Sequence, residues 1–133
     1  MLWARRLTVT PGATRDDPDS MTVTLPTSTI RRVIVVFRAG CLWLVEVAVY
    51  HNEFQIIPVD PESSISGDDW VFDCPIEYPL EDGSNLVTVA GWSAAVTYSH
   101  DIDVYLYLEL AKEVDVQAML RNLFLGVTMP VTE

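Results

Sequence analysis

From Ser99 to Leu110 the chain reads SHDIDVYLYLEL, and its odd and even positions differ in chemistry. Ile102, Val104, Leu106, Leu108 and Leu110 fall on one side. Asp101, Asp103, Tyr105, Tyr107 and Glu109 fall on the other. Side chains alternate across a strand with period two, so this stretch is a half-buried β-strand with an apolar face and an acidic, tyrosine-bearing face. The same period recurs along most of the chain, and that restricts the fold more than any other feature.

MTVTL (21–25) alternates threonine with apolar residues and stops at Pro26. TIRRVIVVFR (29–38) is apolar on both faces from Val33 to Phe37, as in a central strand covered on both sides. In LWLVEVAVY (42–50), Trp43, Val45, Val47 and Val49 share one side. HNE is a hairpin loop in which Asn52 suits the left-handed conformation. FQIIPV returns. DPESSISGDD (60–69) is a long polar loop, suited to a function or a crossover. WVFDC points Trp70, Phe72 and Cys74 inward, and Pro75 and Pro79 restrict PIEYPL to a sheet edge or an irregular extended segment. LVTVAGW and AAVTYS follow, with Gly91 marking a bulge or bend. Seven to nine strands at intervals of about 8–12 residues predict a β-sandwich or barrel.

The two ends read differently. Residues 1–20 contain TPGATRDDPDS, rich in turn formers, and are expected to form an arm or extension, with a short strand at Leu7–Thr10. Residues 21–112 are the expected sandwich. In the tail, 113–133, Val116, Met119, Leu120, Leu123 and Phe124 fall at helical spacing, with Asp115 as cap and Gly126 as stop.

Half of the 133 residues are apolar, enough for a core, and no apolar run reaches the ~20 residues of a membrane helix. No secretory signal is read at the start. The net charge of −11 argues against nucleic acid as a partner. That charge is unevenly spread. Residues 1–38 carry six arginines against three aspartates, whereas residues 39–133 carry Lys112 and Arg121 against sixteen acids. A basic leading segment beside an acidic body predicts contact between neighbouring molecules, with Arg5, Arg6, Arg31 and Arg32 on one side. The face of Asp101, Asp103, Tyr105, Tyr107 and Glu109 is the expected counterpart, because tyrosine suits interfaces and carboxylates attract arginine.

Motifs for chemistry are absent. Cys41, His51, Cys74 and His100 lack the close ligand spacing of a zinc module. Cys41 and Cys74 read as small buried thiols, with a disulfide left open. Ser99, His100 and Asp101 are sequence neighbours, which diverge on an extended chain and so do not form a triad. SGDDW and EDGSN offer oxygen donors for calcium, but such residues ordinarily serve the turns that hold them. Trp43 and Trp70 share phase with core positions and are read as core, with a sugar platform as the alternative; Trp92 is ambiguous. No cofactor, metal or catalytic residue is assigned.

On IRRVIVVFRAGCLWLVEVAVYHNEFQIIP and GWSAAVTYSHDIDVYLYLEL, the chain resembles small β-sandwich proteins encoded by tailed phages and related mobile elements. The resemblance spans Ile30 to Leu110 and rests on strand pattern and turn placement. It implies a virion structural or decoration subunit, multimeric or bound to capsid or tail proteins. The combined expectation is an antiparallel β-sandwich of jelly-roll type with a short C-terminal helix. Its expected role is non-enzymatic assembly, and a carbohydrate-binding or adhesion module is the alternative.

Overall fold

The computed structural model describes residues 1–94 and 97–110. Among them the chain is all β, with nine strands in two antiparallel sheets. The first sheet contains β1 (Leu2–Val9), β3 (Ser28–Phe37), β7 (Trp70–Leu80) and β9 (His100–Leu110), in the order β1-β9-β3-β7. The second contains β2 (Asp19–Leu25), β4 (Val45–His51), β5 (Phe54–Ile57) and β8 (Asn85–Ser93), in the order β2-β8-β4-β5. The two-residue β6 (Ile65–Ser66) also pairs with β4. The helix expected in 113–133 lies outside the described residues.

One apolar cluster joins the sheets into a sandwich. Val33, Val35 and Phe37 of β3 and Val104 and Leu106 of β9 come from the first sheet; Val45, Val47 and Val49 of β4 and Val87 and Val89 of β8 come from the second. Leu106 is fully buried and Leu108 nearly so, in the phase that the alternation dictates. Burial of each such side chain contributes roughly 1.5–3 kcal/mol.

Residues 1–20 correct the expectation of an arm. β1 pairs with β9 along its whole length, from Leu2 opposite Tyr107 to Val9 opposite His100. Leu7 and Val9 enter the core, and Val9 packs where β8 carries Gly91. A Cβ on Gly91 would stand 2.7 Å from Val9 Cγ2, so this glycine serves a close approach between the sheets, not a bulge. The arginines at positions 5 and 6 hide the strand from a reading based on polarity, because β1 is an edge strand with one face in solvent.

Pro75 and Pro79 lie in β7, the opposite edge of the first sheet, where a missing N–H costs no ladder bond. The polar loop after β5 is a crossover to the first sheet. It is held from below: Gln55 donates to the carbonyls of Pro58, Asp60 and Ser63, and Arg15 donates to those of Glu62 and Ser63. The Arg15 guanidinium lies 5.0 Å from the ring centre of Trp92, whose Nε1 donates to Glu46 at 3.0 Å. Trp92 is therefore buried on the outside of the second sheet, beneath the β1–β2 loop.

Candidate functional site

Two surfaces stand out, and the first is the outer face of the β1-β9-β3-β7 sheet. β9 presents Asp101, Asp103, Tyr105, Tyr107 and Glu109 there, as its alternation requires. Register places Thr8, Arg6, Ala4 and Leu2 of β1 on one side of this row. On the other side stand Ile34 and Val36 of β3, followed by Asp73 and Val71 of β7.

The arginines reach this face through a bulge. Both pairings of β3 shift register between Ile30 and Arg32. Successive residues normally point to opposite faces, but the extra residue lets Arg31 and Arg32 both face outward while Ile30 and Val33 stay buried. Arg31 pairs with Glu109 of β9 and, at 2.7 Å, with Glu77 of β7. Arg32 grips Asp73 with two hydrogen bonds, of 2.7 and 2.6 Å. Asp103 is clamped from both sides, by Arg6 at 3.0 Å and Arg38 at 2.7 Å. Thr8 donates to Asp101 at 2.6 Å.

These contacts set the electrostatics. Partial burial pushes the Asp103 carboxyl up, but the Arg6 and Arg38 hydrogen bonds outweigh it and hold the group below the usual carboxylate range. Arg32 holds Asp73 low in the same way. The charge asymmetry of the sequence is therefore met within one chain, because the basic strands β1 and β3 flank the acidic strand β9. Arg6, Arg31 and Arg32, expected to face a neighbour, each pair with a carboxylate of their own chain. Arg5 is not part of the ladder: it points to the other side of β1 and stacks over Trp3, 5.5 Å from the ring centre. Between the ion pairs runs an apolar stripe. Ile34, Val36 and Tyr105 are half-buried, while Leu2, Tyr107 and Val71 are exposed. β3 is central, as its sequence indicates, but no described layer of the chain covers its outer side.

The second surface is the loop end where β3 leads to β4 and β6 to β7. It overturns the reading of Trp43 and Trp70 as core: they are 60% and 46% exposed, whereas Trp92 is 6% exposed. Phase misleads at Trp43 because β4 begins only at Val45. Leu42 and Trp43 adopt left-handed backbone, with φ of 50° and 62°. That conformation costs roughly 1–2 kcal/mol per residue in a side-chain-bearing position. Asp68 offsets the cost by accepting from the N–H groups of Gly40 (2.9 Å) and Leu42 (3.0 Å). The Trp43 N–H donates to Gly67 O at 3.2 Å. The two indoles meet with centroids 6.1 Å apart and planes tilted by 33°; Phe72 continues the row 6.1 Å from Trp70. The sequence signal that marks this display is Gly40 before the first indole and the Gly67-Asp68-Asp69 turn before the second.

Beside the loop lies a depression of about 270 Å³, walled by Leu42, Leu44, Tyr98 and His100. A hollow of about 330 Å³ at the opposite end contains the hydroxyls of Thr27 and Ser28, which donate to the Asp82 and Pro26 carbonyls. Among the described residues no three His, Cys, Asp or Glu side chains converge as a metal site. Cys41 and Cys74 are free thiols. Burial pushes both upward from their ordinary pKa.

No family model matches the chain, and no curated protein matches it. Among solved structures it is similar to an exo-β-1,3-galactanase from Phanerochaete chrysosporium, solved with galactose, at 14% identity and a TM-score of 0.36. A variant of that enzyme solved with β-1,3-galactotriose gives 13% and 0.38. Each comparison covers 80% of this chain and 27% of the galactanase. A family two carbohydrate esterase from Cellvibrio japonicus gives 10% and 0.33, over 86% of this chain and 37% of the esterase. The chain thus spans little more than a quarter to a third of these proteins.

Proposed function

We propose that this chain is a non-enzymatic structural subunit, a β-sandwich of jelly-roll winding that attaches to a larger protein assembly through the outer face of its first sheet. The strand orders β1-β9-β3-β7 and β2-β8-β4-β5 support the winding, because most connections carry the chain from one sheet to the other. The observation that carries the role is the stripe of Ile34, Val36, Val71, Tyr105 and Tyr107, over which no other layer of the described residues lies. A central strand with large apolar residues on its outer side is ordinarily covered. Here the flanking charges are already paired across strands, so a covering partner need not supply counter-charges. Aromatic side chains at the centre and a polar rim are the composition of a contact surface. The setting proposed is the one the sequence resemblance implies, a virion or comparable protein lattice.

The test is the double substitution Tyr105→Ser with Tyr107→Ser. Both positions are on an outer face, so the strand keeps its core side and circular dichroism should be unchanged. Light scattering after size exclusion should show a lower mass than wild type, or capture of the assembly partner should fail. A folded double mutant with unchanged mass and unchanged attachment would remove the proposal.

A further inference from the structure

Trp43 and Trp70 are large apolar side chains that the core leaves out. We infer that they form a binding platform for a neutral carbohydrate, which stacks the C–H face of a pyranose ring on the indoles. The site lies at the loop end and is independent of the outer sheet face.

The platform is built before any ligand arrives. Three left-handed residues shape it: Leu42, Trp43 and, at φ 48°, Asp69. Asp68 ties the two loops together through the Gly40 and Leu42 amides, and the Asp69 N–H donates to the Arg38 carbonyl at 3.3 Å. Trp70 is seated closely, since a Cβ on Gly67 would stand 2.9 Å from the Phe37 ring and 3.1 Å from the Trp70 ring. A rigid aromatic surface loses little freedom on binding. Strained backbone that presents two indoles to solvent does nothing for the core, and such strain is characteristic of functional sites.

Shape and charge select the ligand. The indole planes are tilted by only 33°, which suits a flat ring better than an ammonium group enclosed by steep aromatic walls. Asp68 and Asp69 border the indoles on a chain of net charge −11. They repel the phosphates of nucleic acids and of anionic membranes. Asp68 uses Oδ1 for the loop, and its other oxygen and the exposed Asp69 carboxylate are acceptors for hydroxyl groups. A ligand with an apolar ring face and peripheral hydroxyls, and without negative charge, meets all of these conditions.

The experiment is a titration of the full chain with neutral gluco-, galacto-, xylo- and chito-oligosaccharides, followed by tryptophan fluorescence and calorimetry. At least one series should bind. Trp43→Ala and Trp70→Ala should each weaken it roughly tenfold or more, and the double variant should abolish it. Tyr105→Ser with Tyr107→Ser should leave sugar binding unchanged. The inference is overturned if no series binds at millimolar concentration, or if the folded double tryptophan variant binds as wild type does. It is also overturned if that variant changes only the oligomeric mass, which would make the platform a protein contact.

Discussion

Gly91→Ala should destabilise the protein by loading a contact between the first and second sheets. The new methyl would lie 2.7 Å from Val9 Cγ2 and 3.2 Å from Leu7 Cδ2, both below normal van der Waals separation. Val9 is completely buried and stiff at χ1, so it has little room to yield. Overpacking of this kind costs about 1–3 kcal/mol. Glycine at position 91 has no positive φ, so alanine also lowers the entropy of the unfolded chain and returns about 0.4–1 kcal/mol. The expected net loss is about 1–2 kcal/mol. Val9→Ala alone leaves a cavity and costs a comparable amount. Combined, the two changes restore the fit, so the double variant should be more stable than the sum of the singles by about 1 kcal/mol or more. Urea unfolding followed by tryptophan fluorescence reads all three. If Gly91→Ala matches wild type and the cycle shows no coupling, β1 does not pack on β8, and residues 1–20 are an extension after all.

Leu106→Ala should cost about 2–5 kcal/mol in the same assay, and a loss below about 0.5 kcal/mol would mean that the phase of β9 is wrong. Asp73 and Asp103 are held below the usual carboxylate range when folded. Their contribution is therefore full above the unfolded value near ~4 and is lost as pH falls through the folded values. The urea midpoint should hold steady from neutrality to about pH 5 and fall in stronger acid. Asp103→Asn should be weaker at neutral pH and show a flatter acid limb; a variant that tracks wild type at every pH would exclude the clamp by Arg6 and Arg38.

Much of the sandwich is legible because alternation is local. The apolar side of β9, the valines of β4 and the edge position of proline-bearing β7 follow from residues within each strand. What escapes depends on partners far along the chain. β1 looks polar until β9 and β8 lie beside it, since only Leu7 and Val9 are fully inward. Arg6 and Arg31 look like free charges until Asp103, Glu77 and Glu109 arrive 97, 46 and 78 residues later. Trp43 has the parity of Val45 but not its fate, because two left-handed residues end the alternation just before the strand begins. Trp92 has outward parity and is buried by Arg15, which comes from a loop more than seventy residues earlier.

The strand order of the first sheet also governs how the molecule is made. β9 lies between β1 and β3, so β1 has no ladder partner until the last described strand has been synthesised. At about 5–20 residues per second, that interval of some ninety residues lasts roughly 5–20 s. Throughout it, β1 has no ladder partner and β3 has an open side. β9 acts as the keystone: translation stalled before it leaves two unjoined ladders, and its insertion closes the sheet in a single late step.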